Sequence, residues 1–473
     1  MSGVRPPRAS LPVDLTAPRH VHVVAVAGYA MSAIARYLTQ LGHAVSGCDV
    51  TPGSMLDQLA AEGISVTVGH DRAHLAAPCD FVSVATAVRR DTDEIRAAVD
   101  ASIPVLSRGD TMRLIAATKP RVAVVSGTHG KTSTTSMLTH VLVEMGEHPS
   151  FFIGGVLVGA ATNARYDPAG DWLLVEGDES DHSFLDFDRE AVLVTNVEPD
   201  HLDRWGDDFT ALVRGFADFI DGASGAVVLC LDDPQLRVLA GERPAARTYG
   251  FAADAQVRAS AYRATATGCE IDVEFDGRPF ATLPLRLRGR DMAQNALGAF
   301  AFAVELGVEP EGALAALATF AGVGRRFQLR GRHNGADCFD DYAHTSTEVR
   351  TTLARAREGG WSRVVAVFQP HRYTRIARHW HEFATAFDDA DIVVVTAIDP
   401  AFEDPIDGVS SALVVDAVRD HRPDLEVHSI ADWGGLADLP WAIGRPGDCI
   451  VTLGCGSITR LHDDWERAEA THP

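Results

Sequence analysis

The chain has 473 residues, 46% hydrophobic and 23% charged, with a formal net charge of -23; that length exceeds one hydrophobic core and fits two to four domains of about 150 residues. The acidic balance disfavours attraction to nucleic acid or anionic membranes, and no uninterrupted apolar stretch of about 18 residues offers membrane insertion. Seven cysteines without a CxxC pair read as neither a disulfide framework nor a zinc site and point to a reducing cytoplasm.

In chain order, the Pro- and Arg-rich residues 1–19 read as a flexible arm. Apolar runs at Val21–Val26, Ala44–Ser46, Phe81–Ala85 and Pro104–Leu106, with a helical pattern over Met31–Leu41, predict a Rossmann-like βαβ unit over 20–118. A second unit, 119–327, opens on the buried-strand pattern Arg121–Val125, followed by a helix whose apolar face carries Met137, Leu138, Val141, Leu142 and Met145 and which stops at Gly146. Runs at Trp172–Val175 and Ala191–Val194 end in acidic or polar residues, where sites form in open parallel sheets. Alternation over Val257–Leu287 predicts a smaller antiparallel part. A third Rossmann-like unit, 328–473, has strand-like runs at Val364–Phe368, Ile392–Thr396 and Cys449–Leu453. The fold class is α/β in three domains, the central one a P-loop ATPase-type parallel sheet.

Between the Arg121–Val125 run and its helix lies Ser126-Gly127-Thr128-His129-Gly130-Lys131-Thr132-Ser133. A phosphate-binding loop needs converging backbone N–H groups, a helix N-terminus behind them and a lysine reaching the outer phosphates; this segment supplies all three. Lys119 and Lys131 are the only lysines in the chain, so Lys131 stands where a compact ammonium is chemically distinctive. Magnesium accompanying ATP prefers carboxylate oxygens, and Glu176 ends its strand in position to supply one. The following Asp178, Glu179 and Asp181 read equally as a solvated acidic turn. His201, past the next strand, is a candidate for a second metal or for phosphate, against the bland reading of a loop histidine. Arg325, Arg372 and Arg375 offer forked guanidinium groups to anions or, alternatively, to ion pairs on the surface.

Six segments carry a resemblance to the Mur ligase family: Gly127–Thr132, Glu176–Asp181, Thr195–Asp203, Gly322–Phe327, Asp340–His344 and Phe368–Arg375. They occur in family order over nearly the whole chain. The resemblance implies an ATP- and Mg2+-dependent amide ligase, joining L-alanine to the lactyl carboxylate of UDP-N-acetylmuramate through an acyl phosphate in peptidoglycan precursor synthesis. Alternatives are a Mur-type ligase for another acid and amine, or a catalytically silent nucleotide-binding regulator. By resemblance Lys131 contacts phosphates, Thr132, Glu176 and His201 hold metal, and Asn295, Arg326 and Asp341 sit at the nucleotide or domain junction. Gly28, Ser32, Asp49, His344, His371, Arg372 and Arg375 match substrate-facing positions, with Asp341 and His344 also counted as catalytic. Its partners are then small molecules, a UDP-sugar carboxylate and an amino acid, and the chain is expected as a monomer or weak homodimer.

Several loops depart from the family. The run of glycines near the UDP pyrophosphate reads Ala25-Val26-Ala27-Gly28, and an added Cβ at a close-approach or positive-φ position is expected to cost on the order of 1 kcal/mol. Asp291 and Met292 stand where the family has His-Asn, leaving Asn295 alone for the adenine side. Gly454-Cys455-Gly456-Ser457 lacks an aspartate.

Overall fold

The computed structural model describes residues 11–50, 52–75, 78–86, 88–160, 162–265, 267–401 and 403–469. The first ten residues of the expected arm lie outside that range; within the rest of it, Asp14 accepts from the Thr16 amide and pairs with Arg19. The chain divides into two compact units, one built chiefly from residues up to Tyr249 with Gly298–Ala313, the other chiefly from Gly250–Leu297 and from Leu314 onward.

The first unit holds two parallel sheets. Strands β1 (His20–Val24), β2 (Ala44–Asp49), β3 (Ser65–Val68), β4 (Phe81–Val84) and β5 (Val105–Ser107) line up as β3-β2-β1-β4-β5, all parallel. The helices α1 (Tyr29–Gln40), α2 (Ser54–Ala61), α3 (Asp93–Asp100) and α4 (Arg108–Ala116) connect or follow them. Helix α4 starts sharply because Ser107 and Asp110 form a reciprocal capping box.

The second sheet of this unit contains β6 (Arg121–Ser126), β7 (Ser150–Phe152), β8 (Ala164–Arg165), β9 (Trp172–Glu176), β10 (Ala191–Val194), β11 (Val227–Cys230) and β12 (Arg247–Gly250), in the order β12-β11-β10-β6-β9-β7-β8. Only β8 runs antiparallel to its neighbour. Val122–Val125 of β6 are buried on both faces, which is why the run reads as continuously apolar. Helix α5 (Lys131–Glu144) follows β6 and ends as expected at Gly146, with φ 78° and its N–H on Val143 O.

In the second unit, β13 (Val257–Thr265), β14 (Gly268–Phe275) and β15 (Arg278–Leu285) form the antiparallel ribbon that alternation predicts. The last sheet contains β16 (Gln328–His333), β17 (Ala336–Asp341), β18 (Val364–Phe368), β19 (Ile392–Val395), β20 (Glu426–Ser429) and β21 (Cys449–Leu453), ordered β16-β17-β21-β18-β19-β20. It is parallel except for β16. Phe368, Phe383, Phe387, Val393 and Val451 pack one of its cores, and Trp465, Leu436 and Ile450 the other. All seven cysteines are free thiols.

Candidate active site

Strand β6 lies between β10 and β9, so their parallel carboxyl ends bring three loops together. Gly127 takes φ 137°, and a Cβ there would stand 2.0 Å from Thr195 Oγ1; only glycine lets the loop close on β10. Asn196 holds that loop from the other side, its Oδ1 accepting from the His129 amide at 2.8 Å while its Nδ2 donates to His129 O at 3.0 Å. Thr128 Oγ1 accepts from the Glu198 amide at 2.9 Å. Gly130, at φ 81°, caps α5 with backbone alone. Gly130 itself brings no capping side chain to the start of α5, where backbone N–H groups favour an anion.

The Lys131 ammonium donates to Gly127 O, to Thr128 O at 3.0 Å and to Glu179 Oε2 at 2.8 Å. Thr132 Oγ1 donates to Glu176 Oε1 at 2.8 Å, and Glu176 Oε2 accepts from the Gly154 amide at 2.8 Å. Two of the three residues expected at the metal thus touch each other, offering the hard oxygen donors a magnesium ion takes. His201 sits in left-handed backbone, φ 51°, with Nε2 3.6 Å from Asp200 Oδ2; its described contact is with its own loop.

Two further residues complete this cradle: Glu179, which the sequence left open between a site carboxylate and a solvated turn, and Arg108, which sequence reasoning missed. Glu179, 2% exposed, is pushed up to about 7 by burial against the pull of Lys131, and Lys131 is itself raised by its carboxylate neighbours in spite of burial. Arg108, from α4 of the preceding sheet, donates to Asp178 at 2.9 Å and Asp181 at 2.6 Å. Burial opposes ionisation of Asp178, but the Arg108 guanidinium holds it well below the usual carboxylate range. The acidic cluster is therefore a wired part of the site and not a solvated turn. Its sequence signal was the density of carboxylates; nothing local announced Arg108.

On the first sheet, Ala25 takes φ 62°, so the left-handed position feared for the lost glycines does carry a Cβ. Gly28 precedes α1 at φ -66°, and Asp49 Oδ2 accepts from the Ala27 amide at 3.1 Å, bracing the loop. Ser32 is completely buried, with its hydroxyl donated to Tyr29 O at 2.9 Å.

In the second unit, the carboxyl ends of β17 and β18 bring His344 and His371 within 6.0 Å between ring centroids. Burial pushes His371 down to about 4, with His344 and Arg375 adding repulsion. His371 Nδ1 and Arg375 Nη1 are buried polar atoms without hydrogen-bond partners, a donor set suited to a carboxylate. Arg372 instead pairs with Glu403 at 2.7 Å. Asp341 accepts from the amides of Phe327 at 2.7 Å and Ala343 at 2.9 Å, tying the segment that enters this sheet to the end of β17. Arg326 lies over the Tyr342 ring, 5.2 Å from its centroid. Arg325 is buried and pairs with Asp340 at 3.2 Å, so its ion pair lies inside the fold and not on the surface. Asp291 pairs with Arg355, which also approaches Asp341 at 3.5 Å, so the departure at Asp291 has a partner built for it. Asn295 is buried in the helix Arg290–Glu305. In the Gly454–Ser457 loop the carboxylate comes from Asp399, which accepts from the Ser457 amide at 3.0 Å.

A strand, a glycine loop, a helix start with a lysine, and a carboxylate paired to a hydroxyl define a nucleotide-phosphate-binding α/β enzyme. Comparison with known proteins narrows that class. Residues 20–120 match the profile "Mur ligase family, catalytic domain", 125–303 match "Mur ligase middle domain" and 325–456 match "Mur ligase, glutamate ligase domain". A UDP-N-acetylmuramate--L-alanine ligase of Acidiphilium cryptum (strain JF-5) is 39% identical over 95% of this chain and 94% of its own length. One of Rhizobium meliloti (strain 1021) is 38% identical over 93% of this chain and 94% of its own. The crystal structure of the UDP-N-acetylmuramate-alanine ligase of Thermotoga maritima superposes with a TM-score of 0.83 at 27% identity, covering 96% of this chain and all of that one. The chain belongs to the Mur ligase family, as its six motif segments suggested.

Proposed function

We propose that this chain is an ATP-dependent carboxylate–amine ligase that joins L-alanine to the lactyl carboxylate of UDP-N-acetylmuramate, a step of peptidoglycan precursor synthesis in the cytoplasm. The observation that carries the ATP-dependent chemistry is the cradle of Gly127, Lys131 and the backbone-capped start of α5, with Thr132 paired to Glu176. The choice of substrates rests on the relatives' names and on their coverage of nearly the whole chain. We assign the UDP-sugar to 20–118, ATP to 119–327 and the amino acid to 328–473, with residues 1–19 as an arm, and expect a monomer or weak homodimer.

In this reading the γ-phosphoryl group passes from ATP to the lactyl carboxylate, giving an acyl phosphate and ADP. The alanine amine then attacks the acyl carbon, the C–O bond to phosphate breaks, and the amine's proton leaves with inorganic phosphate or solvent. Lys131 and the first-turn amides hold the phosphate oxygens as charge moves between them, an electrostatic task suited to fixed donors. Thr132 and Glu176 would hold a magnesium ion, with His201 serving a second metal, and that charge would add to the neutralisation of the phosphates. Asn196 keeps the loop from shifting. His371, neutral near pH 7, and Arg375 orient a carboxylate, with His344 and Arg372 beside them; Arg326, Asp341 and Asn295 serve the nucleotide side, and Gly28, Ser32 and Asp49 the UDP loop.

The test is phosphate release by the purified chain with ATP, magnesium, UDP-N-acetylmuramate and a panel of amino acids. Release dependent on alanine and the UDP-sugar supports the reading. Release only with other acids or amines moves the chain to another Mur-type substrate pair, and nucleotide binding without release makes it a regulator.

A further inference from the structure

Away from the cradle, the first sheet gathers a second set of metal-type donors. His22 of β1, Cys48 of β2, His74 of the turn after β3 and Glu94 of α3 place one ligand atom each within 4.8 Å of all the others. Glu94 is 0% exposed, and His22 and Cys48 are buried with it. Glu94 Oε1 stands 2.9 Å from His22 Nε2 and 2.8 Å from His74 Nδ1, while Cys48 Sγ stands 3.0 Å from Glu94 Oε2. We infer that these four side chains form a tetrahedral binding site for a zinc-class divalent cation.

Three features favour a cation over a cluster of hydrogen bonds. Zinc bonds of about 2.0 Å to nitrogen or oxygen and 2.3 Å to sulfur give tetrahedron edges of about 3.3–3.6 Å, and the four ligand atoms, all within 4.8 Å of one another, reach those edges by side-chain shifts of about 1 Å. Each ligating imidazole has its other nitrogen on a hydroxyl: His22 Nδ1 lies 2.8 Å from Ser46 Oγ and His74 Nε2 3.1 Å from Thr67 Oγ1. Outer contacts of this kind orient the rings, and a hydroxyl that accepts from the outer nitrogen leaves the inner one as a ligand. The charges also match, since a thiolate and a carboxylate neutralise a divalent cation and leave a buried centre with no net charge. One thiol proton is released to solvent as the Zn–S bond forms, together with any proton shared between an imidazole and Glu94. His70 Nδ1 lies 3.2 Å from both Cys48 Sγ and Glu94 Oε2, at the edge of the cluster.

Donor type selects the metal. A set of two nitrogens, one sulfur and one oxygen suits zinc or cobalt, whereas the hydroxyl and carboxylate of the cradle suit magnesium. The position gives the site a consequence, because Cys48 O accepts from the Val26 amide at 2.9 Å and the next residue, Asp49, accepts from Ala27. A metal at Cys48 would stiffen the very loop that has lost its glycines.

The test uses the full chain, stripped with chelator and titrated with zinc and with cobalt. One tightly held cation per chain is expected, with a thiolate-to-cobalt charge-transfer band that disappears in Cys48→Ser and weakens in His74→Asn. The same band is expected to survive in Glu176→Gln, which alters the cradle. Folded wild-type chain that shows no thiolate band, or a band undiminished in a folded Cys48→Ser variant, overturns the site in favour of a proton-filled hydrogen-bond cluster. Should Cys48→Ser fail to fold by circular dichroism, the wild-type spectrum and His74→Asn decide alone. These readouts do not depend on which substrates the enzyme joins.

Discussion

At the scale of the residue, Lys131 concentrates the chemistry. Its ammonium is the cationic side chain built into the phosphate loop, and it is held by two loop carbonyls and Glu179. Losing a fixed donor to developing charge costs about 10²–10³-fold in kcat; Lys131→Ala is therefore expected to abolish measurable turnover while its far-UV spectrum and cooperative melt stay intact. Near-normal phosphate release from that variant would sink the mechanism. Glu179 adds a pH dependence of calculable sign. Burial lifts it to about 7, so below that pH it is neutral and leaves the ammonium to the phosphates, and above it the carboxylate competes for Lys131. The KM for ATP is expected to rise as pH climbs through about 7 in the wild type and to be flatter in Glu179→Gln, which removes the titration. The same shift makes stability greatest below the ordinary carboxylate pKa and lower as pH rises to about 7, so the melting-temperature difference between wild type and Glu179→Gln should follow that window.

At the scale of the element, the turn between β1 and α1 stores strain. Ala25 holds φ 62°, a conformation costing an L-residue about 1–2 kcal/mol, offset by the greater freedom glycine has in the unfolded chain, about 0.4–1 kcal/mol. Ala25→Gly is thus expected to stabilise the chain by about 0.5–1 kcal/mol, read from urea denaturation; an unchanged or lower stability would show that the loop is relaxed as it stands. This turn also shows how far sequence reading reaches. The apolar runs of β6, β9, β10, β18, β19 and β21 are legible because buried parallel strands need apolar residues on both faces, and α5 is legible from its stop at Gly146. The short β8 and β12 are not, because two to four residues of ordinary composition carry no period. The phosphate loop could be read because its residues are contiguous. The ion pair between Asp291 and Arg355 could not, because its halves lie 64 positions apart and each is unremarkable alone.

At the scale of the whole molecule, the question is what couples the first sheet to the cradle inside the first unit. Among the side chains of the first sheet's helices that reach across, Arg36 donates to Asn163 Oδ1 at 2.8 Å, and Arg108 grips Asp178 and Asp181. The second contact is chemically the more consequential, because Asp178 also acts on Lys131. With Arg108 in place, the Asp178 charge is shared with a guanidinium; with Arg108 removed, the Lys131 ammonium becomes its nearest described cationic partner. Arg108→Met is therefore expected to do two things. Breaking a part-buried ion pair should lower stability by about 1–2 kcal/mol, measured in urea. The freed carboxylates should also compete with phosphate for Lys131, raising the KM for ATP several-fold while the KM for the amino acid stays near its wild-type value. A folded Arg108→Met protein with reduced stability and an unaltered ATP KM would reduce Arg108 to a strut between two sheets, whereas a rise confined to ATP would make it the link through which the first sheet sets the charge of the phosphate site.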